Sequence, residues 1–179
     1  MNKILGTIII FALGISPTLA VELGNGLTLF NKSPRLVDMV TTFNGIRVTG
    51  AKYYITIALG KNVGEPLEKL TIQQSEGVEI IKFDLEQTMA FEGEPINRGQ
   101  SLTISRTKQN LDNNEISIIL DPPLPPGTTF TIALKPKQNP QEPGIYHFTI
   151  NAYPQGENPQ GLYLGFGRLQ FYHQGDRFP

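Results

Sequence analysis

Two-residue alternation of apolar and polar side chains, repeated in short runs, constrains this chain more than any other feature. In residues 52–59, Tyr53, Ile55, Ile57 and Leu59 fall on one side and Tyr54, Thr56 and Ala58 on the other. The same period carries Leu70 and Ile72, then Leu102, Ile104 and Arg106, then Ile116, Ile118 and Leu120. It returns in Phe130, Ile132 and Leu134, and again in Tyr146, Phe148, Ile150 and Ala152. Side chains on a strand alternate between the two faces of a sheet, so such runs, rich in β-branched and aromatic residues, are half-buried strands. No helical stripe runs through residues 21–179, and only residues 84–90 suit a single helical turn.

The punctuation between the runs fixes how they connect. Residues 60–66 and 92–99 read as loops, and Asp112, Asn113 and Asn114 read as a hairpin turn, because Asn and Asp tolerate left-handed backbone. Residues 121–127 hold four prolines and a glycine. Proline donates no ladder hydrogen bond, so this stretch is expected to leave one sheet for another. Crossovers of that kind favour a sandwich over an up-and-down barrel, which uses tight hairpins throughout. The expectation is an all-β, immunoglobulin-like β-sandwich of roughly seven to nine strands. Ile57, Ile72, Ile104, Ile118, Phe130, Ile132, Phe148 and Ile150 should point inward, with Thr131, His147 and Thr149 more exposed. Residues 162–172 should form the last strand, with Leu162, Leu164 and Phe166 on one face and Tyr163, Leu169 and Phe171 on the other. Gly165 and Gly167 would leave room on that second face for a neighbouring chain.

The N-terminus reads as a signal peptide. Lys3 gives a positive start, residues 4–15 carry no charge, and Thr18-Leu19-Ala20 offers small residues before a cut. The expected division is residues 1–20 as signal and residues 21–179 as one β-sandwich domain, beginning at Val21 and holding no membrane span. Loss of the signal removes one cation, leaving 14 Lys and Arg against 16 Asp and Glu. That balance lacks the basic stripe of a nucleic-acid binder. With no cysteine, neither a disulfide scaffold nor a lipid-anchored thiol is available.

Five segments together resemble one family. They are residues 33–37 (SPRLV), 51–57 (AKYYITI), 64–72 (GEPLEKLTI), 122–131 (PPLPPGTTFT) and 161–172 (GLYLGFGRLQFY). Their order is similar to that in a cyanobacterial family of small exported proteins catalogued as a domain of unknown function. The resemblance implies a cyanobacterial source and an envelope or extracellular location, and it implies no activity.

Candidate chemistry is sparse. Gly161, Gly165 and Gly167 lie in a strand-like run with no helix after them, whereas a phosphate cradle needs glycines opening a helix, so they read as close packing or a bulge in a terminal strand. His147 falls on the polar side of its strand and His173 near the end of the chain, and both read as surface residues. Glu92 and Glu94, and the oxygen-rich residues 112–115, lack the spacing of a calcium loop. Tyr146, Phe148, Tyr153, Tyr163, Phe166, Phe171 and Tyr172 crowd the C-terminal third and read first as packing. The absence of tryptophan weighs against a sugar platform. No catalytic, cofactor or metal residue is assigned. The chain reads as an exported periplasmic, envelope or extracellular binding or structural module, not an enzyme, whose partner is an envelope protein or polysaccharide. The alternatives are a glycan hydrolase and a carbohydrate-binding module.

Overall fold

The computed structural model describes residues 26–173 and 175, so the signal peptide read over residues 1–20 lies outside the described residues. Among the described residues ten strands follow one another: β1 Arg35–Thr41, β2 Tyr53–Ala58, β3 Leu67–Glu76, β4 Met89–Glu94, β5 Asn97–Leu102, β6 Ile104–Asn110, β7 Glu115–Leu124, β8 Thr129–Leu134, β9 Gly144–Pro154 and β10 Leu162–Phe171. A single 3-10 turn, Leu85–Gln87, occupies the stretch expected to be helical. The strands form two five-stranded antiparallel sheets. Sheet I has the order β1-β2-β8-β4-β5, and sheet II the order β10-β9-β3-β7-β6.

The alternation maps onto the core. Ile57, Ile72, Ile118, Phe130, Ile132, Phe148 and Ile150 are buried between the sheets, while Ile104 is partly buried at the rim. Tyr53 of β2 is the hub. Its ring meets Phe83 edge-on at 5.8 Å and Phe148 at 6.4 Å, and lies 5.8 Å from Phe171, which in turn meets Tyr146 at 5.5 Å. Such pairs add to area burial, so this cluster ties sheet I to three aromatic residues of sheet II. The Tyr53 hydroxyl donates to Asn139 Oδ1 at 2.9 Å. Burial holds the phenol well above its ordinary pKa, helped by Tyr146 and Glu79 nearby, so it remains a donor.

Four details differ from the sequence reading. Residues 92–99 are not a loop: β4 and β5 form a hairpin whose tip is Pro95 and Ile96. The β5 strand is polar and exposed along nearly its whole length, so it carries no apolar alternation to betray it. The run read across Leu102 and Ile104 belongs to both sheets, with β5 in sheet I, β6 in sheet II and Thr103 alone between them. Residues 121–127 do lead from sheet II to sheet I, but β7 continues through Pro122 and Pro123 to Leu124, which pairs with Leu67 after a register shift. The Asp121–Pro122 peptide is cis.

The fourth correction is Thr131, which is fully buried. It faces away from the central core, but the β4–β5 hairpin covers it. Its hydroxyl donates to the Gly93 carbonyl at 2.7 Å and lies 2.9 Å from the Thr56 hydroxyl, which is left to donate to it. Thr131→Val should lower stability by about 1–3 kcal/mol, since it strands the buried Thr56 hydroxyl and the partly buried Gly93 carbonyl. Thr149→Val, on the outer face of sheet II, should stay within about 0.5 kcal/mol. Equal urea midpoints for the two variants would show that the hydroxyl chain contributes nothing.

Candidate functional site

The outer faces of the two sheets differ. On sheet I, Tyr54, Phe91 and Ala133 form a small buried cluster. Arg98 of β5 lies over it, 5.3 Å from the Tyr54 ring centre and 4.8 Å from that of Phe91, and donates to the Tyr54 hydroxyl at 2.8 Å. A broad depression of about 410 Å³ beside Arg98 is lined by Glu92, Asn97, Thr128 and Thr129, with no aromatic ring on its wall. The aromatic surface of sheet I is therefore already covered by the chain itself.

Sheet II keeps two outer aromatics, Tyr163 and Phe166, open, and two β-bulges shape the surface around them. In β10 the register with β9 shifts between Tyr163 and Gly165, where Gly165 adopts φ 131°. A bulge adds one residue and reverses the alternation beyond it. Phe166 therefore leaves the face it would share with Leu164 and stands outward with Tyr163, at 59% and 55% exposure. Gly167, Leu169 and Phe171 turn inward. This corrects the faces read from sequence. It also corrects the role of Gly167, whose missing side chain makes room for Met39 of β1 within the molecule instead of for a neighbouring chain. Gly165→Ala should cost about 1–3 kcal/mol from backbone strain alone. The nearest atom to an added Cβ, Leu36 Cδ2, is at 3.8 Å, so packing contributes little. An unchanged urea midpoint would show that the bulge relaxes freely.

The second bulge, in β3, shifts the register with β9 between Gln74 and Glu76, and both Ser75 and Glu76 are exposed. Glu76 pairs across the strands with His147. Its Oε2 lies 2.7 Å from His147 Nδ1, and the imidazole meets the Phe166 ring edge-on at 5.2 Å. The carboxylate orients the imidazole, and the imidazole braces the phenyl ring. Ser75, Glu76, His147, Thr149, Tyr163 and Phe166 line a shallow depression of about 230 Å³. The Ser75 hydroxyl donates to the His147 backbone carbonyl at 3.3 Å, so it does not engage the imidazole as a nucleophile would engage its base.

The polar character continues across the sheet. Cross-strand pairing sets Tyr163, Asn151, Thr71, Ser117 and Lys108 in one row, and Phe166, Thr149, Gln73 and Glu115 in the next. Asn151 Nδ2 donates to the Thr71 hydroxyl at 3.4 Å. At the far end, Lys69 Nζ sits 3.8 Å over the Tyr153 ring.

The remaining sequence candidates scatter. Tyr146, Phe148 and Phe171 are core residues. Residue Tyr172 joins the backbone of residues 44–46, and His173 is exposed. Gly161 packs against the Tyr153 ring before β10 begins. Glu92 and Glu94 belong to the β4–β5 hairpin. Residues 112–114 make the expected turn, with Asn114 at φ 56° and its carbonyl accepting from Gln74 N–H. Among the described residues, no three or more His, Asp or Glu side chains gather closely enough to hold a metal ion. Sequence reasoning separated His147 from Phe166 and missed Glu76. The bulge expected among these glycines is present at Gly165, and it changes the faces counted through it.

The sequence profile described as "Protein of unknown function (DUF2808)" matches residues 27–171. None of the curated proteins matches this chain. Among solved structures, it is similar to the collagen-binding domain of a Staphylococcus aureus adhesin, at 14% identity and TM-score 0.39, covering 76% of this chain and 98% of that one. It is also similar to the collagen-binding subdomain of the Enterococcus faecalis surface protein ACE, at 9% identity and TM-score 0.41, covering 74% and 94%. The C-terminal domain of the Streptococcus agalactiae AgI/II polypeptide BspA aligns at 13% identity and TM-score 0.42, over 71% of this chain and 44% of that one. The architecture is an all-β sandwich of two five-stranded antiparallel sheets.

Proposed function

We propose that this chain, which belongs to the DUF2808 family of proteins of unknown function, is an exported binding module whose contact surface is the outer face of β3, β9 and β10. The observation that carries the reading is the convergence of two bulges on one spot: the β10 bulge brings Phe166 outward, and the β3 bulge brings Ser75 and Glu76. Bulges re-aim side chains at functional edges, and exposed aromatic rings held rigid by neighbours bind with little loss of side-chain freedom. A binding role is favoured over hydrolysis because the depression holds one carboxylate paired to one histidine, and its serine hydroxyl is engaged by backbone. Export rests on the character of residues 1–20, and no helix among the described residues is long and apolar enough to cross a membrane.

The test is a pull-down from the native envelope fraction with tagged protein, comparing wild type with Phe166→Ala. The variant should lose the captured partner while keeping its melting temperature, because Phe166 is largely exposed. Equal capture by both proteins would remove this face from the reading.

A further inference from the structure

We infer that the ligand of this face is a neutral glycan chain, with Phe166 and Tyr163 stacking under sugar rings and Glu76, Ser75 and Thr149 taking their hydroxyls. The inference rests on the binding reading above and names its ligand class.

Three features of the surface point to a sugar. First, Phe166 is held at an angle of 64° to the His147 ring, an edge contact that leaves much of the phenyl face open. An apolar ring face in water is the surface on which the C–H face of a pyranose settles. Tyr163 lines the same depression, so two rings lie within one short span. Two such rings replace the single large one that tryptophan would supply.

Second, away from the Glu76–His147 pair, the surface beside the rings carries hydroxyls and amides. Thr149, Asn151, Gln73 and Ser117 occupy the neighbouring positions of the two rows. The hot-spot centre of a protein interface is desolvated and well packed, and these positions would meet a partner's apolar side chains with unpaired polar groups. Sugar hydroxyls supply both donors and acceptors, which such side chains can answer in either sense.

Third, charge at the spot is balanced. Glu76 is the carboxylate at the depression, and Arg168 flanks His147 on its other side in the same cross-strand row, donating to Gln170 at 3.0 Å. A polyanion would meet Glu76 unfavourably, whereas a carboxylate readily accepts from sugar hydroxyls. The depression is shallow and open, as suits a chain lying across strands.

The test is a titration of isotope-labelled protein with cellohexaose, mannohexaose and chitohexaose, with oligogalacturonate as the acidic control. At least one neutral hexasaccharide should shift the backbone amides of Thr149, Phe166 and His147. Phe166→Ala should weaken that binding about tenfold or more, and Phe166→Tyr should keep it within about threefold. Preference for oligogalacturonate, or neutral binding unaltered by Phe166→Ala, would overturn the inference. So would silence of all three neutral hexasaccharides at about 10 mM, a concentration that reveals even millimolar affinity. Silence here together with Phe166-dependent capture of a protein in the pull-down would leave the binding reading standing and refute only the glycan. Silence in both experiments would refute both.

Discussion

Removal of residues 161–179 should abolish cooperative unfolding and leave an aggregating product. The last strand pairs with β9 from Leu162 to Phe171 and closes the edge of sheet II. Its loss removes Leu169 and Phe171, both almost fully buried, and uncovers the faces of Tyr53 and Tyr146. Deleting a buried leucine or phenylalanine side chain costs about 2–5 kcal/mol each, against a total domain stability of about 5–15 kcal/mol. Unpairing also converts β9, apolar on its inner face, into a bare edge that invites association. Urea unfolding with size-exclusion chromatography decides the matter. A truncated chain that stays monomeric with an unchanged midpoint would show that β10 is dispensable.

The second large effect is expected at Asn139, a polar residue only 1% exposed. It accepts from the Tyr53 hydroxyl at 2.9 Å and donates to the carbonyls of Phe43 and Gly45 at 2.9 and 2.8 Å. One side chain therefore joins the aromatic hub to the segment after β1. Asn139→Ala should cost about 2–4 kcal/mol, because the tyrosine hydroxyl is left unpaired in the core while water takes over part of the partly exposed carbonyls. Tyr53→Phe should cost about 1–2 kcal/mol alone and almost nothing in the Asn139→Ala background, since their shared bond is then already gone. Additive losses in that double-mutant cycle would mean that the two side chains act separately.

The core was legible in the sequence because burial between two sheets imposes a period of two. Ile116, Ile118 and Leu120, or Tyr146, Phe148 and Ile150, can face one way only. Strand β5 was illegible for the complementary reason. It buries almost nothing, and backbone pairing to β4 holds it in place without leaving a mark on residue type. Thr131 was misplaced because its position on β8 looks outward, and the β4–β5 hairpin laid over that face buries it. The candidate site suffered from arithmetic of another kind. Counting by twos puts Phe166 with Leu164, and one inserted residue at Gly165 undoes the count. The Glu76–His147 pair joins residues far apart in the chain, and their meeting depends on the β3–β9 register, which local pattern does not specify.

Thr103 makes the two long sides of the sandwich mechanically unlike. On one side a single covalent strand, residues 97–110, belongs to both sheets and bends at this one residue. On the other, β1 and β10 meet through side chains such as Met39 over Gly167, and the backbone of residues 44–46 is fastened to Tyr172 by two hydrogen bonds of 2.9 Å. The first side is the spine of a book and the second its clasp. Partial opening of the sheets should swing about Thr103 and begin at the clasp, and hydrogen exchange checks it: the amides of Ile46 and Tyr172 should exchange with solvent sooner than those of Ile118 or Ile150. The proposed ligand face lies beside that clasp, on β10. A ligand held there would bridge β10 and β9, and through β10 it would resist the first movement of such an opening.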